Sequence, residues 1–129
     1  MSDYVTRAES VIKSLSRKNN KNKDIKLTTS QLRKFLAMAN EIDNKIKLCE
    51  LKDEIKDDIL PESIKNEILS MKVKLVYQSG RENDVKEFVE KSKIMNDIDD
   101  INGKASNFKA FFNYLEALVA YRKFEGGDK

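Results

Sequence analysis

Histidine and tryptophan are absent from this 129-residue chain, and cysteine and proline occur once each. Each scarcity removes a class of function. Histidine is the side chain that most often moves protons near neutral pH, so acid–base chemistry would fall to carboxylates. The lone cysteine, Cys49, has no partner within the chain for a disulfide, and without histidine a Cys/His zinc site lacks ligands. A reducing cytoplasm is the compartment this usage suggests. No run free of charge exceeds six residues, whereas a membrane-crossing helix needs about 20 apolar ones. Arg7 and Glu9 stand where an export signal would carry its apolar run, so none is expected.

Charge and helix-forming residues are what the chain has in quantity. Charged residues make up 36% and hydrophobic ones 40%, with four glycines, a balance that favours helices around one core. The expected fold is all-α, a compact five-helix bundle in a single domain over 1–129, with a basic connector at about 17–27. The net charge of +3 is concentrated at the front: residues 1–26 hold seven Lys/Arg against three Asp/Glu, 27–60 six against seven, and 61–129 twelve against twelve. Within that front lies "RKNNKNKDIK", residues 17–26, with five basic residues and three asparagines. Such a stretch cannot form a core by itself; it is a solvated connector or a basic loop that orders on nucleic acid.

Apolar spacing places the helices. Tyr4, Ala8, Val11, Ile12 and Leu15 make one face over about 3–16. Thr28, Thr29 and Ser30 read as capping residues ahead of a stripe through Leu32, Phe35, Leu36, Ala39, Ile42, Ile46 and Cys49, and Cys49 on that stripe reads as a small core residue. The charged stretch "CELKDEIKDDI" reads as a fraying helix end or a second short piece. Pro61 suits the start of a third helix. Its apolar residues Ile64, Ile68, Met71 and Leu75 are backed on the opposite side by Leu69, Val73, Val76 and Tyr77. A helix apolar on two sides is central in its bundle or covered by another chain. Gly80 fits the left-handed position that closes a helix, with Arg81 at the negative end of its dipole. Asn83 and Asp84 are cap candidates for a fourth helix that buries Val85, Phe88 and Val89, and "NDIDDINGKASN" reads as a loop. The last helix, about 106–124, holds five of the ten aromatic residues between Phe108 and Tyr121 and is ended by Gly126-Gly127, so it is expected at the centre of the core. Arg122, at the margin of its apolar face, should reach solvent or meet a carboxylate, a phosphate or another subunit.

Catalytic motifs do not emerge. The clusters "ELKDEIKDD" and "NDIDD" mix carboxylates with lysines or fall in the expected loop, and "DIDDING" lacks the twelfth-position glutamate of a calcium loop. No phosphate-binding glycine motif or activated nucleophile is present, so neither an enzyme nor a cofactor is expected. What remains is surface: Arg33, Asn40, Asn44 and Lys47 form one polar stripe of the second helix, with Lys34 and Lys45 beside it.

Four blocks, "LTTSQLRKF", "KVKLVYQSGR", "VKEFVEK" and "FFNYLEALVAYRKFEGG", in that order over residues 27–127, resemble the small helical subunit of type III-A CRISPR interference complexes, the Csm type. The resemblance implies a non-catalytic helical bundle in antiviral defence, present in several copies that stack along the guide RNA and its target. RNA cutting, DNA cutting and cyclic-oligoadenylate synthesis would belong to other subunits. A protein that accepts any guide sequence must contact the sugar–phosphate backbone rather than the bases. Within the matching blocks that role falls to Arg33, Lys34, Lys72, Lys74 and Arg81, with Lys21 and Lys23 of the connector as additions. On a helix Lys72 and Lys74 point about 200° apart, so they should not share one task. The competing expectation is a helical adapter that binds only protein partners, its lysines serving solubility.

Overall fold

The computed structural model describes residues 3–18 and 24–126, and among them it forms six helices where the spacing predicts five. They are α1 (Tyr4–Ser14), α2 (Thr29–Leu51), α3 (Glu62–Arg81), α4 (Asn83–Ser92), α5 (Ile94–Asp100) and α6 (Ala105–Glu125). The extra helix is α5, in the stretch expected to be a loop. Ile94, Ile98 and Ile101 recur at four and three residues and are all buried, which outweighs the local Asp and Asn content. Lys93, in the left-handed conformation at φ 57°, separates α5 from α4.

Gly80 also departs from expectation. It is helical, and α3 runs on to Arg81 before Glu82 turns extended at φ −127° and α4 begins at once. A methyl group at Gly80 would meet nothing within 4 Å, so neither backbone conformation nor crowding demands glycine there. The caps follow local chemistry more closely. Asp3 accepts from the Thr6 N–H at 2.7 Å to start α1. Thr28 and Gln31 form a reciprocal box at the start of α2, with the Gln31 N–H donating to Thr28 at 3.1 Å and the Thr28 N–H to the Gln31 side chain at 2.8 Å.

α6 sits at the centre, packed on α1, α2 and α5. Phe108 is wholly buried and its ring lies 5.6 Å from that of Phe111 and 6.2 Å from that of Phe112. Two arginines fasten other elements to this core. Arg7 of α1 lies 3.9 Å over the Tyr114 ring, forks onto Asp97 of α5 at 3.1 and 2.8 Å, and donates to the Ser92 carbonyl at 2.9 Å. Burial here pushes the Tyr114 hydroxyl up to about 12, so it stays protonated and donates to the same carbonyl at 2.9 Å. Arg122 is the second. Instead of reaching solvent it is fully buried, and it donates to the main-chain carbonyls of Leu27 and Gly126 at 2.7 Å each and of Ile25 at 3.4 Å. Both described ends of the basic connector are thereby tied to α6, the later one through Ile25 and Leu27 and the earlier one through Arg17, which pairs with Glu125 at 3.6 Å.

The charged stretch after α2 has a structural role as well. Asp58 accepts from the Ser106 N–H at 2.9 Å and from the Ser106 hydroxyl, capping α6 from 48 residues away, while the Leu60 N–H donates to the Gly103 carbonyl at 2.8 Å. Gly127, expected to help end α6, lies outside the described residues.

Candidate nucleic-acid interface

α2 and α3 lie side by side, and the start of one meets the end of the other. The Gln31 amide, already fixed by the Thr28 cap, donates to the Glu82 carboxylate at 2.8 Å across this end. Arg33 and Lys34, two and three residues beyond Gln31, therefore come to the same end of the molecule as Arg81, one residue before Glu82. Between the helices runs a groove of about 560 Å³ whose walls include Lys34, Met38, Val73, Lys74 and Tyr77. Arg33 stands one helical turn before Ala37, which also lines it. The Arg81 guanidinium lies 5.7 Å from the Tyr77 ring centroid, close enough for a cation–π contact.

Two of the sequence-assigned cations, Lys34 and Lys74, thus line one groove, with Arg81 beside its Tyr77 wall and Arg33 at the same end of the molecule. Arg33, Lys34, Lys74 and Arg81 are all exposed, and none of them forms an ion pair with a carboxylate among the described residues. Further along the same seam the charge changes sign. Glu41, Glu67 and Lys74 flank a smaller hollow, and Lys45 donates to Glu67 at 2.5 Å, which raises the lysine pKa. The groove is basic at the Gln31–Glu82 end only.

Lys72 is placed elsewhere. It points to α5 and meets the Asp99 carboxylate at 2.5 Å beside a separate hollow that also involves Lys65 and Gly103. The divergence of Lys72 from Lys74 expected from the helical period is what the structure has. Lys21 and Lys23 lie outside the described residues.

The remaining candidate groups hold the fold together. Asp58 caps α6 and Asp97 grips Arg7, and no cluster of three or more metal-ligating residues occurs among the described residues. Burial and the nearby Glu54 carboxylate push the Cys49 thiol above its ordinary range, which keeps it protonated. Two side chains were not singled out by sequence. Tyr77 was counted only as apolar, although Arg81 four residues on signals their contact. Asp43 was passed over, although it stands four residues after Ala39 and three before Ile46, on the core-facing row of α2; it is 4% exposed.

The family model described as Csm2 Type III-A matches residues 1–128. A relative from Streptococcus thermophilus named "CRISPR system Cms protein Csm2" is 39% identical over 125 residues, covering 97% of this chain and 93% of its own. One of the same name from Mycobacterium tuberculosis H37Rv is 34% identical over 122 residues, 95% and 90% respectively. Another, from Enterococcus italicus, is 37% identical over 100 residues, 76% of this chain and 67% of its own.

Proposed function

The chain belongs to the Csm2 type III-A family, and from that premise we propose that it is a non-catalytic small subunit of a type III-A CRISPR interference complex that holds guide and target RNA by their backbones. The observation that carries this is the basic end of the α2–α3 groove. Arg33, Lys34, Lys74 and Arg81 stand there without carboxylate partners among the described residues, so an arriving phosphate does not have to displace an existing ion pair. Lysine and arginine on rigid helices neutralise phosphates whatever the base sequence, which suits a subunit that serves any guide. Lys72, already held by Asp99, is the weakest contributor of the described set.

Copies of the chain also meet one another in this reading. Leu69, Val73, Val76 and Tyr77 line the outer side of α3 and are 53–66% exposed, an apolar strip that a neighbouring subunit would cover. The same strip favours the second reading, an adapter that touches protein alone. RNA gel shifts on the isolated chain, run beside light scattering over a concentration series, separate the two: self-association without RNA retention favours the adapter.

The backbone reading has its own test. Assembled complex carrying Arg33→Ala or Arg81→Ala should bind unrelated target RNAs equally weakly. The slope of log affinity against log salt should fall by about one for each lost phosphate contact. Filter-binding titrations at several salt concentrations measure this, and an unchanged slope removes that residue from the interface.

A further inference from the structure

Phosphate contacts do not use all that the α2–α3 groove offers. One cation stands on each wall, Lys34 on α2 and Lys74 on α3, and Arg81 lies beside Tyr77. The rest of the lining is mainly apolar, with Phe35, Ala37 and Met38 from α2 and Val73 and Tyr77 from α3. A phosphate moved onto such a surface would lose its water without gaining a partner, so the charges of a ligand stay with the lysines and arginine. A body of another kind fills the space between them. At about 560 Å³ that space falls within the roughly 300–1,000 Å³ typical of small-ligand sites.

Two side chains describe the body. Tyr77 is 60% exposed, and the Arg81 guanidinium near its ring adds a second planar group of the kind on which nucleobases stack. Gln78, the next residue, lines the same groove, and its side-chain amide forms no hydrogen bond among the described residues. An amide carries both donors and an acceptor, and turning it end for end exchanges them, so it can meet the polar edge of any base. A flat apolar face, a polar edge and a phosphate on either side are the parts of one nucleotide. An acidic protein segment would match the cations alone.

We propose that the groove seats one unpaired nucleobase, stacked on Tyr77 with its polar edge at Gln78, while Lys34 and Lys74 hold the phosphates on either side of it. The inference rests on the RNA-backbone reading above and names what lies between the phosphates. A base inside a duplex has both faces covered, so the seated one has left the stack. Stacking reads no sequence, because every base has a flat face, and the contact therefore suits any guide. Leu69 and Val76 are not among the groove's walls, and a neighbouring copy can cover them while Val73 and Tyr77 border the base.

The test uses assembled complex carrying the wild-type chain, Tyr77→Ala or Tyr77→Phe, at an exposed position where folding is not at risk. The fluorescent base aminopurine, which stacking quenches, is placed at each position in turn, first of the guide and then of a target. Tyr77→Ala should brighten it at the seated positions alone, and Tyr77→Phe, which keeps the ring, should leave it dim. An abasic nucleotide at a seated position should weaken binding by the wild type about tenfold, the size of one stacked base. It should cost Tyr77→Ala far less, because the platform is already gone. The salt slope should be the same for Tyr77→Ala as for wild type, since no phosphate contact is lost. A response on the guide or on the target supports the proposal and names the strand that supplies the base. No responding position, with an abasic cost equal in wild type and Tyr77→Ala, overturns it and leaves the backbone reading in place. Fewer small subunits per complex at full RNA affinity per copy means that the groove seats protein, and also overturns it. Wild-type complex whose RNA affinity does not vary with salt overturns the backbone reading and this inference together.

Discussion

α6 and α3 are almost equal in length, at 21 and 20 residues, and each carries apolar side chains on more than one side. Their surroundings differ. α6 is enclosed by its own chain: Phe108, Leu118 and even Arg122 are wholly buried. α3 buries Ile64, Ile68, Met71 and Leu75 but leaves Leu69, Val73, Val76 and Tyr77 open. The chain has enough helix to wrap one such element and not two. An apolar side the fold does not use for its own core remains available to something outside it, and on α3 that side adjoins the basic groove through Val73 and Tyr77.

The largest expected effect lies on the enclosed side. Phe108→Ala removes a ring that packs against two others, and should cost about 3–5 kcal/mol of unfolding free energy in urea titrations. A loss below ~1 kcal/mol would mean that the centre of the bundle collapses readily around the cavity, and that α6 is less closely wrapped than its burial indicates. Next in size is Arg122→Met, which keeps the apolar stem but leaves the carbonyls of Leu27, Gly126 and Ile25 without their guanidinium donor. The expected loss is about 2–3 kcal/mol. It should come with faster amide exchange at Lys26, whose N–H bonds the Ser16 carbonyl at 3.0 Å and depends on that segment staying in place. Unchanged exchange at Lys26 would show that the Arg17–Glu125 pair and the apolar burial of Ile25 and Leu27 hold the segment without Arg122.

The same contrast governs what could be read in the sequence. Periodicity found every long helix, because a face that packs against the chain's own core must repeat at 3.6 residues. It found the open side of α3 too, for the same reason. It missed α5, where only three isoleucines carry the repeat and the residues between them favour turns. Gly80 misled because glycine commonly ends helices, whereas here the end is set by the extended Glu82, whose side chain is held by Gln31 from α2. That contact is long-range and has no local signal. Arg122 and Asp58 escaped likewise: one bonds carbonyls 95 and 97 residues away and the other caps a helix 48 residues on. Of the proposed interface, the candidate cations could be picked out from the matching blocks. Their grouping could not, because the meeting of Lys34 with Lys74, and the separation of Lys72, depend on how α2 and α3 lie together.

The smallest effect on stability is the most informative about α3. Val73 is 66% exposed, and Val73→Ser should change the unfolding free energy of the isolated chain by no more than about 0.5 kcal/mol. If a neighbouring copy covers the strip, the same substitution removes apolar area from that contact. A fully covered valine contributes about 1.5 kcal/mol, so association should weaken roughly tenfold. Sedimentation across a concentration series measures the second quantity and chemical denaturation under dilute conditions the first. A stability loss above ~1 kcal/mol would mean that the strip is covered within the chain in solution, and would erase the difference between α3 and α6. Association left unchanged would keep the difference but move the meeting place of the copies off Val73. The exposed side of α3 would then serve the basic groove, in whose wall Tyr77 already stands beside Arg81.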